Sequence, residues 1–420
     1  MINIKPKLRF LEFSGEWKVK KFSDIYSFYG RNHLSRALLN YEDINIKNIH
    51  YGDIHTKFRP NFDIRNEDVP FINLDVDLTK IKAEQFCKQK DLIISDTSEN
   101  YNDIGKTIEL MNLDNQKLLA GLHTYIARDE KNQMALGYSG YLMQTADIRL
   151  QIKKLATGTS VLSISKGNLS RLKITIPKFL EQEKITSFLF SVDAKIEKLQ
   201  KKKKPLGEYK KGIIEKIFSQ ELRFKGNNGN SYPEWEEKKL GKITSSYDGT
   251  HHTPKYIEEG IPFYSVEHVT SNQFEKTKFI SKEFFEKENK RVKLEKNDIL
   301  MTRIGSIGEV KLIDWDVNAS FYGSLAVIKS SPSFNSKYLN FLIQSNFFQK
   351  ELWKRTIHVA FPKKINLGEI GMCSVKLPCF EEQEKIANFL STIDRKLEVI
   401  DIEIDKMNEF KKGLLQQMFV

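Results

Sequence analysis

The sequence predicts an α+β fold: two globules of mixed helices and strands, separated by two long antiparallel coiled-coil helices and related by a pseudo-two-fold repeat. The first observation is a duplicated segment, because PKFLEQEKI at residues 177–185 recurs as PCFEEQEKI at 378–386. The match continues without a gap at an offset of 201 and gives 17 identities in 42 positions. A repeat of this length predicts that the architecture is itself duplicated.

The second observation is an apolar seam in both copies. Apolar residues recur in alternating steps of four and three from Ile386 to Met407, and the first copy shows the same steps from Ile185 to Leu199. A 3.5-residue period sustained over several heptads is typical of a coiled coil. Two unrelated amphipathic helices on separate cores are the alternative, but the matched seams favour helices that pack on each other.

The third observation is a shared order of strands in the two regions between the helices. VPFINLD at 69–75 resembles IPFYSVE at 261–267, and an apolar strand follows Asp91 in one region and Asp298 in the other. Their loops differ, as expected for two binding modules with different targets. We therefore predict four segments: a globule at residues 1–176, a long helix at 177–222, a globule at 223–377 and a long helix at 378–420.

Two local features refine this outline. Pro205 follows the lysine run 201–204 and predicts a kink or a break in the first long helix, because proline removes a backbone donor and clashes with the preceding turn. The lysine run itself is a solvated helix face or, alternatively, a DNA backbone contact. Near the end of each globule the pattern predicts one helix, at 141–156 and at 338–356.

Composition limits the possible functions. The 420 residues carry a net charge of +12 and a pI of about 9.2, which suits a polyanionic partner. There is no P-loop, dinucleotide fingerprint, HExxH or GxSxG, and the three cysteines lack metal-site spacing. No signal peptide or 18-residue apolar run occurs, so we expect a cytoplasmic protein without bound metal or cofactor.

Nucleic-acid candidates lie in the loops of both globules. Hydroxyl, imidazole and cationic side chains suit phosphate and base contacts, with a solvated loop or a surface ion pair as the alternative for each. In the second globule the candidates are Thr250, His251, His252, Thr253, Lys255, Arg303, Ser306, Arg355, His358, Lys363 and Lys364. In the first globule they are Arg31, Asn32, His33, Lys57, Arg59, Thr157, Gly158, Thr159 and Ser160.

For two of these loops the sequence predicts the kind of contact. Arg303 precedes the TRIGSIG stretch, which we interpret as a hairpin turn rather than a phosphate loop, and a turn-borne arginine suits bidentate guanine recognition. The ATGTS loop at 156–160 offers hydroxyls and backbone N–H groups that suit phosphate.

The doubled EQEKI…KKG helix, together with DGTHHTPKY and NDILMTRIGSIG, resembles the specificity subunit of type I restriction–modification systems over nearly the whole chain. The resemblance implies a non-catalytic subunit with two target-recognition domains, each reading one half of a split site in double-stranded DNA. It also implies paired helices that hold these domains apart. Two modification subunits would dock and use S-adenosylmethionine to methylate adenine, and restriction (motor-nuclease) subunits would join for cleavage.

Two functions from other classes remain as alternatives. One is a coiled-coil protein-interaction scaffold without DNA recognition, and the other is a self-sufficient DNA-modifying enzyme. The second lacks the motifs that it requires.

Overall fold

The computed structural model describes residues 5–42 and 45–420. The chain forms two compact units, one made of Met1–Leu199 with Glu403–Val420 and the other of Gln200–Ile402. Two long helices each contribute one part to each unit. None of the helices within the described residues combines the length and hydropathy of a membrane-spanning segment.

Among its described residues, the first unit contains thirteen strands and four short helices before the first long helix. The strands are β1 (Lys18–Lys21), β2 (Ser27–Tyr29), β3 (Leu39–Asn40), β4 (Lys47–Ile49), β5 (Asn61–Asp63), β6 (Phe71–Ile72), β7 (Leu92–Ser95), β8 (Thr97–Ser98), β9 (Thr107–Asn112), β10 (Leu118–Ala120), β11 (Thr124–Arg128), β12 (Leu162–Ser163) and β13 (Lys173–Ile176). The helices are α1 (Tyr51–Thr56), α2 (Tyr138–Leu142), α3 (Ala146–Leu155), α4 (Lys166–Ser170) and the long α5 (Phe179–Phe218).

The second unit, all of whose residues are described, has nine strands. They are β14 (Glu236–Lys239), β15 (Ser246–Asp248), β16 (Ile261–Tyr264), β17 (Lys278–Ile280), β18 (Ile299–Thr302), β19 (Val310–Leu312), β20 (Ser320–Phe321), β21 (Leu325–Ile328) and β22 (Ser374–Leu377). The helices are α6 (Val266–Ser271), α7 (Lys282–Asn289), α8 (Ser336–Gln344), α9 (Asn346–Arg355), α10 (Leu367–Gly371) and the long α11 (Phe380–Gln417). Short 3-10 turns occur at Phe22–Asp24, Arg36–Leu38, Ala83–Gln85 and Leu240–Lys242.

The main sheets of the two units share the order of four strands, and the first unit adds β5 at one edge. The first unit has β2-β11-β7-β9-β5, and the second has β15-β21-β18-β19. The central strands β7 and β18 are buried on both faces, which explains their uninterrupted apolar sequences. In each unit a strand near the start pairs antiparallel with the strand before the long helix, β1 with β13 and β14 with β22. The α+β fold and the internal repeat are therefore confirmed.

The acidic residues before the central strands form equivalent buried ion pairs. Asp91 accepts hydrogen bonds from Arg128, and Asp298 accepts from Lys329, which stands 201 residues after Arg128. Both carboxylates are fully buried, where a charge is retained only with a partner. The repeat thus extends to polar residues of the core.

The helix predicted near the end of each globule is two helices in the structure. Thr145 and Ser345 interrupt them with an extended backbone, with ψ 151° at each residue. Their hydroxyls donate to the carbonyls of Leu142 at 2.8 Å and Leu342 at 2.6 Å. A hydroxyl that bonds its own backbone in this way competes with helix propagation, so the single-helix prediction is wrong.

The first long helix runs without interruption through Pro205. The predicted alternative of a break into two helices is therefore wrong. The proline ring removes one hydrogen bond, while the seam residues before it, including Leu189 and Leu199, stay buried in the first unit. Packing of an amphipathic face supplies most helix stability in proteins, which explains why one lost bond is tolerated.

The two long helices pack antiparallel in each unit. In the second unit Lys203 pairs with Asp401 at 2.5 Å and Lys210 with Asp394 at 2.6 Å, so seven residues forward on α5 match seven residues back on α11. In the first unit Asp193 pairs with Lys411, at 2.7 Å. The pairs Lys210–Asp394 and Lys411–Asp193 are equivalent at the offset of 201. Lys203, Lys210 and Lys411 occupy positions where the spacing of the seam calls for an apolar residue, and an acid of the opposite helix binds each of them.

The start of each long helix carries the same buried cluster. Glu181 accepts from Arg9 at 2.7 Å and from Trp17 Nε1 at 3.2 Å. Glu382 accepts from Arg223 at 2.9 Å and from Trp235 Nε1 at 3.0 Å. We call these the Glu–Arg–Trp clusters. They explain the repeated first glutamate of EQEKI and the arginine near the start of each globule.

Candidate nucleic-acid interface

In the second unit an acidic side chain lies beneath the loop after β15. Asp248 is buried, and its carboxylate accepts hydrogen bonds from Arg291 Nη1 at 2.6 Å and Arg303 Nη2 at 3.1 Å. His251 Nε2 lies 2.9 Å from the same carboxylate. Burial opposes ionisation of Asp248, but the Arg291 hydrogen bond and the adjacent cationic side chains outweigh it and hold its pKa below the usual value. The carboxylate therefore fixes the start of the loop 249–253.

The backbone of this loop packs tightly on β20. A Cβ atom at Gly249 would lie 2.0 Å from the Phe321 carbonyl oxygen, so only glycine fits. Thr250 N donates to Phe321 O at 3.0 Å, and Thr250 itself is buried. The imidazoles of His251 and His252 stay exposed, and the first has 65% of its side chain accessible.

Arg303 lies in the interior, with 10% of its side chain exposed. Its Nε donates to Gly323 O at 2.8 Å and its Nη1 to Ile365 O at 3.2 Å, while Nη2 bonds Asp248. Every nitrogen of the guanidinium therefore has a protein acceptor. The direct guanine contact stays a prediction, and the observed bonds favour a role in holding the surrounding loops.

The TRIGSIG stretch forms the hairpin turn between β18 and β19, which confirms that interpretation. Gly305 N donates to Lys363 O at 2.8 Å, and Ile304 forms a β-bridge with Lys364. The turn is therefore joined to the segment 357–365, and through Arg303 to the loop 249–253. Three segments that are distant in sequence form one connected surface.

The predicted residues of the second unit differ in exposure. The exposed ones are His251, His252, Thr253, Lys255, Ser306, His358, Lys363 and Lys364. Arg355 is partly buried, and its guanidinium bonds the backbone and carboxylate of Glu351, both at 3.0 Å. Thr250, Arg303 and Arg355 are thus held within the protein, whereas the others face solvent.

The first unit gathers polar side chains around Asp96, directly after β7. Asp96 is buried and accepts from Arg31 Nη1, and His123 Nδ1 lies 3.3 Å from its carboxylate. Arg31 also donates to Thr124 O at 3.0 Å, and its guanidinium lies 5.2 Å from the centre of the Tyr125 ring. Arg31 is therefore held between an acid and an aromatic ring, with part of its surface exposed.

The two units place an arginine–aspartate pair at corresponding positions with reversed polarity. In the first unit the arginine follows β2 and Asp96 follows the central strand β7. In the second unit Asp248 ends β15 and Arg303 follows the central strand β18. Both units therefore place an ion pair at the same two strand ends. The arginine and the aspartate have exchanged places between the units.

The ATGTS loop is adjacent to Asp96. The strand after it, β12, pairs with β8, and Ile164 N donates to Asp96 O at 2.9 Å. Gly158 has φ +121°, and a Cβ atom there would lie 2.1 Å from Val161 O, so the tight turn requires glycine. The predicted residues of this loop are all exposed: Thr157, Gly158, Thr159 and Ser160.

The other predicted residues of the first unit are dispersed. Asn32 is buried and donates to the side chain of a neighbouring asparagine at 2.6 Å. Arg59 Nη1 lies 3.3 Å from Glu197 on α5, so it lies against the long helix. His33 and Lys57 are exposed, and Lys57 pairs with Asp53 at 3.3 Å.

Sequence reasoning missed an aromatic–imidazole group beside Arg31. The Tyr51 ring contacts His123 and His55, with centroid distances of 5.3 and 5.7 Å. Burial lowers the pKa of His55, whose Nε2 lies 2.8 Å from Ser95 Oγ. The sequence could have suggested only the contact between Tyr51 and His55, which stand four residues apart on α1. His123 is distant in sequence, so no local pattern connects it with α1.

The surface offers donors rather than a reaction centre. Within residues 5–42 and 45–420, no three His, Cys, Asp or Glu side chains lie together as a metal site requires. The exposed hydroxyls, imidazoles and lysines can bind phosphate oxygens and base edges. The geometry therefore suits recognition of a polyanion.

Comparison with known proteins agrees with this architecture. The family model of the type I restriction modification DNA specificity domain matches residues 15–206 and again 232–408. The chain is 27% identical over 369 residues to the putative type I restriction enzyme MjaX specificity subunit of Methanocaldococcus jannaschii, covering 81% of this chain and 82% of that protein. It is 25% identical over 312 residues to the MjaVIII specificity subunit of the same organism, covering 70% and 71%.

Solved structures show the same fold. The S subunit of the type I restriction–modification system of M. genitalium superposes with a TM-score of 0.60 at 16% identity, covering 99% of both chains. Two matches to one family model, each spanning a globule and part of a long helix, account for the internal repeat. The chain belongs to the family of type I restriction–modification specificity subunits, the non-catalytic DNA-recognition subunits of these enzymes.

Proposed function

We propose that this chain reads a bipartite target in double-stranded DNA, with one half-site contacted by the loops of each unit. In this proposal the chain divides into target-recognition domains at 1–176 and 223–377 and spacer helices at 177–222 and 378–420. The observation that carries the proposal is the connected surface of the second unit, where Arg303 and backbone hydrogen bonds join three loops.

The composition of that surface supports DNA as the ligand. Lys255, Lys363 and Lys364 are exposed and suit phosphate contacts, while His251 and Ser306 suit base edges or phosphates. Their loops are joined by internal bonds, so little ordering is required on binding. Arg303 acts in this proposal as a positioning residue.

The first unit offers a different set of groups, which supports recognition of a different half-site. Arg31 beside Tyr125, with the exposed ATGTS loop, replaces the two histidines and the lysines of the second unit. Because the scaffold is shared and the loops are not, the two half-sites are expected to differ in sequence.

Catalysis is assigned to partner subunits. Two modification subunits would dock on this chain, bind S-adenosylmethionine and methylate adenine, and restriction subunits would join for cleavage. This assignment rests on family membership. A fold neighbour with a TM-score of 0.51 and 14% identity comes from a study of complex assembly of the type I restriction–modification system, which agrees with an assembling role.

The test is to coexpress the chain with its modification subunits and map methylated adenines by sequencing. The double variant His251→Ala/Lys255→Ala should relax or abolish recognition of one half-site only. The double variant His33→Ala/Thr159→Ala should affect the other half only. Each double variant is the control for the other, and a simultaneous change of both halves would contradict one half-site per unit.

Two further measurements separate the alternative functions. Methyl transfer by the chain alone would favour a self-sufficient enzyme, and a complex without DNA affinity would favour a protein scaffold. DNA binding by the complex should weaken with salt, with a log–log slope of about −0.9 per phosphate contact.

A further inference from the structure

One loop of the second unit exposes two large apolar side chains at its tip. Ile357 N donates to Lys364 O at 2.8 Å, which closes the loop and leaves residues 358–363 as its tip. Phe361 and Val359 have relative exposures of 103% and 97%. Scattered exposed apolar residues are ordinary, but two fully exposed ones on one small loop indicate a contact surface.

The loop is held firmly at its base. Gly305 N donates to Lys363 O at 2.8 Å, and Ile365 N donates to Arg303 O at 3.0 Å. The tip therefore extends from the same connected surface that carries the His251 loop. A rigidly presented tip loses little conformational entropy when it inserts into a partner.

The charge around the tip is positive. Lys354 and Arg355 at the end of α9 pair with Glu351, at 3.4 and 3.0 Å, so the positive charge beside the tip comes from Lys363 and Lys364. Lys363 and Lys364 are exposed, and Lys363 Nζ lies 5.2 Å from the centre of the exposed Trp353 ring. His358 packs on the same ring with a centroid distance of 4.0 Å. An apolar tip between cationic side chains matches a ligand whose apolar faces lie between anionic groups.

We propose that Phe361 and Val359 form an apolar wedge that inserts into the base stack of the half-site contacted by the second unit. The inference rests on the proposed function and adds a mode of readout to it. Apolar side chains that enter a base step unstack it and bend the duplex, and neighbouring cations hold the phosphates on either side. Specificity then arises partly from how easily each base step opens.

DNA is favoured over a protein partner by the neighbouring groups. A protein pocket for phenylalanine needs no surrounding lysines, whereas a base step always lies between two phosphates. The loop is also joined through Arg303 to the loop with His251 and Lys255, whose side chains suit phosphate and base contacts.

The test uses the complex of the full chain with its modification subunits and a duplex that carries the mapped target. Phe361→Ala should weaken binding about tenfold, the size expected for loss of one aromatic–base stack. The slope of log affinity against log salt should stay unchanged, because no phosphate contact is lost. Lys363→Ala is the matched control and should reduce that slope by about 0.9.

A second measurement is specific to insertion. A mismatched pair placed in turn at each step of the half-site weakens the local stack. At one step the unaltered complex should bind the mismatched duplex more tightly than the matched one, because less unstacking is required. Phe361→Ala should bind both duplexes equally, and Phe361→Leu should restore part of the preference. End-to-end energy transfer across the duplex should show less bending with Phe361→Ala.

Three outcomes would overturn the wedge. Unchanged DNA affinity of Phe361→Ala would do so while leaving the proposed function intact. An equal loss of affinity on matched and mismatched duplexes at every step would assign Phe361 to the fold of the loop. Loss of modification subunits from the purified complex, with DNA binding unchanged in the remainder, would assign the tip to a protein partner. If the unaltered complex shows no target-specific binding, the proposed function itself fails.

Discussion

The carboxylate of Glu382 is the most enclosed charge at the start of a long helix. It has no exposed surface and accepts hydrogen bonds from Arg223 and Trp235. Removing one partner of a buried ion pair leaves the other without compensation, so the cost is large relative to surface substitutions.

We expect Glu382→Ala to lower the free energy of unfolding by about 3 kcal/mol, since both Arg223 and Trp235 lose their acceptor. The exposed neighbour Glu381 provides the matched control, because Glu381→Ala should change stability by no more than about 0.5 kcal/mol. Urea unfolding of the three proteins measures the difference. Equal midpoints for Glu382→Ala and Glu381→Ala would show that the cluster adds nothing to stability.

Glu109 is a buried carboxylate whose hydrogen-bond donors include two backbone N–H groups. Burial raises the pKa of Glu109 to about 7, although the backbone N–H groups of Gly137 and Gly140 each donate to it at 2.7 Å. Between pH of about 4.5 and about 7 the folded chain therefore holds a proton that the unfolded chain has released. The stability from this group is complete below the lower pH and is lost as the pH rises through the folded pKa.

The expected result is a stability difference that depends on pH. Relative to Glu109→Gln, the unaltered chain should lose stability by up to about 1.4 kcal/mol per pH unit between about pH 5 and about pH 7. Equilibrium unfolding of both proteins in a series of buffers measures this. A difference that stays constant over the range would mean that Glu109 ionises as it does in the unfolded chain.

At the scale of elements, Pro205 and Lys406 stand at equivalent positions of two long helices. Pro205 lies inside α5, which is continuous, and Lys406 lies inside α11. Proline in a helix interior is about 3 kcal/mol less favourable than alanine, and about 1 kcal/mol of that is offset by the stiffer unfolded chain.

We expect Pro205→Ala to raise the free energy of unfolding by about 2 kcal/mol, because a helical hydrogen bond is restored. Lys406→Pro should lower it by about 2 kcal/mol, because the same offset from the stiffer unfolded chain applies. The two substitutions test the same position of the repeat in opposite directions, with chemical unfolding as the readout. No gain from Pro205→Ala would mean that α5 already compensates for the missing bond.

The long helices and their apolar seams could be predicted from sequence because the seam has a strict period. The lysines within the seam could be located, but their partners could not, since Asp394 and Asp193 are specified only by the antiparallel register. The breaks at Thr145 and Ser345 were missed because a hydroxyl that bonds its own backbone resembles any other polar residue in a helical pattern.

At the scale of the molecule, the sequence indicated which segments form the candidate surfaces more clearly than it indicated which of their residues are exposed. Loop composition indicated the segments around His251 and Lys363, which the structure joins. It also indicated Arg303, whose burial depends on Asp248, a contact between strands 55 residues apart in sequence. Burial of this kind follows from strand pairing and cannot be read from local composition.

The strand pairs that close each globule make it an exchangeable segment. Residues 16–176 include both β1 and β13, so an exchange of this segment keeps that antiparallel pair together. Replacing it with the same region of a relative should alter one half of the methylated target and leave the other half unchanged. Sequencing of methylated sites measures this, and a change in both halves would show that the units do not act separately.

Two equivalent backbone hydrogen bonds join the end of each long helix to the segment before a Glu–Arg–Trp cluster arginine. Leu222 N donates to Lys216 O at 2.9 Å as the chain leaves α5, and Leu8 N donates to Gln417 O at 2.8 Å near the end of α11. Leu8 and Leu222 each precede the arginine of a Glu–Arg–Trp cluster, and Gln417 stands 201 residues after Lys216. The amino-terminal segment therefore lies against the end of α11 in the same way that the segment 219–222 lies against the end of α5.

The repeats thus follow one another in a cyclic order. Joining Val420 directly to Pro6 gives Gln417 and Leu8 the same six-residue separation that Lys216 and Leu222 have. A circular permutant with this junction, opened between the exposed residues Asn228 and Gly229, should fold and direct methylation to the same target. Sequencing of its methylated sites tests this, and an unfolded or retargeted permutant would contradict the cyclic order of the repeats.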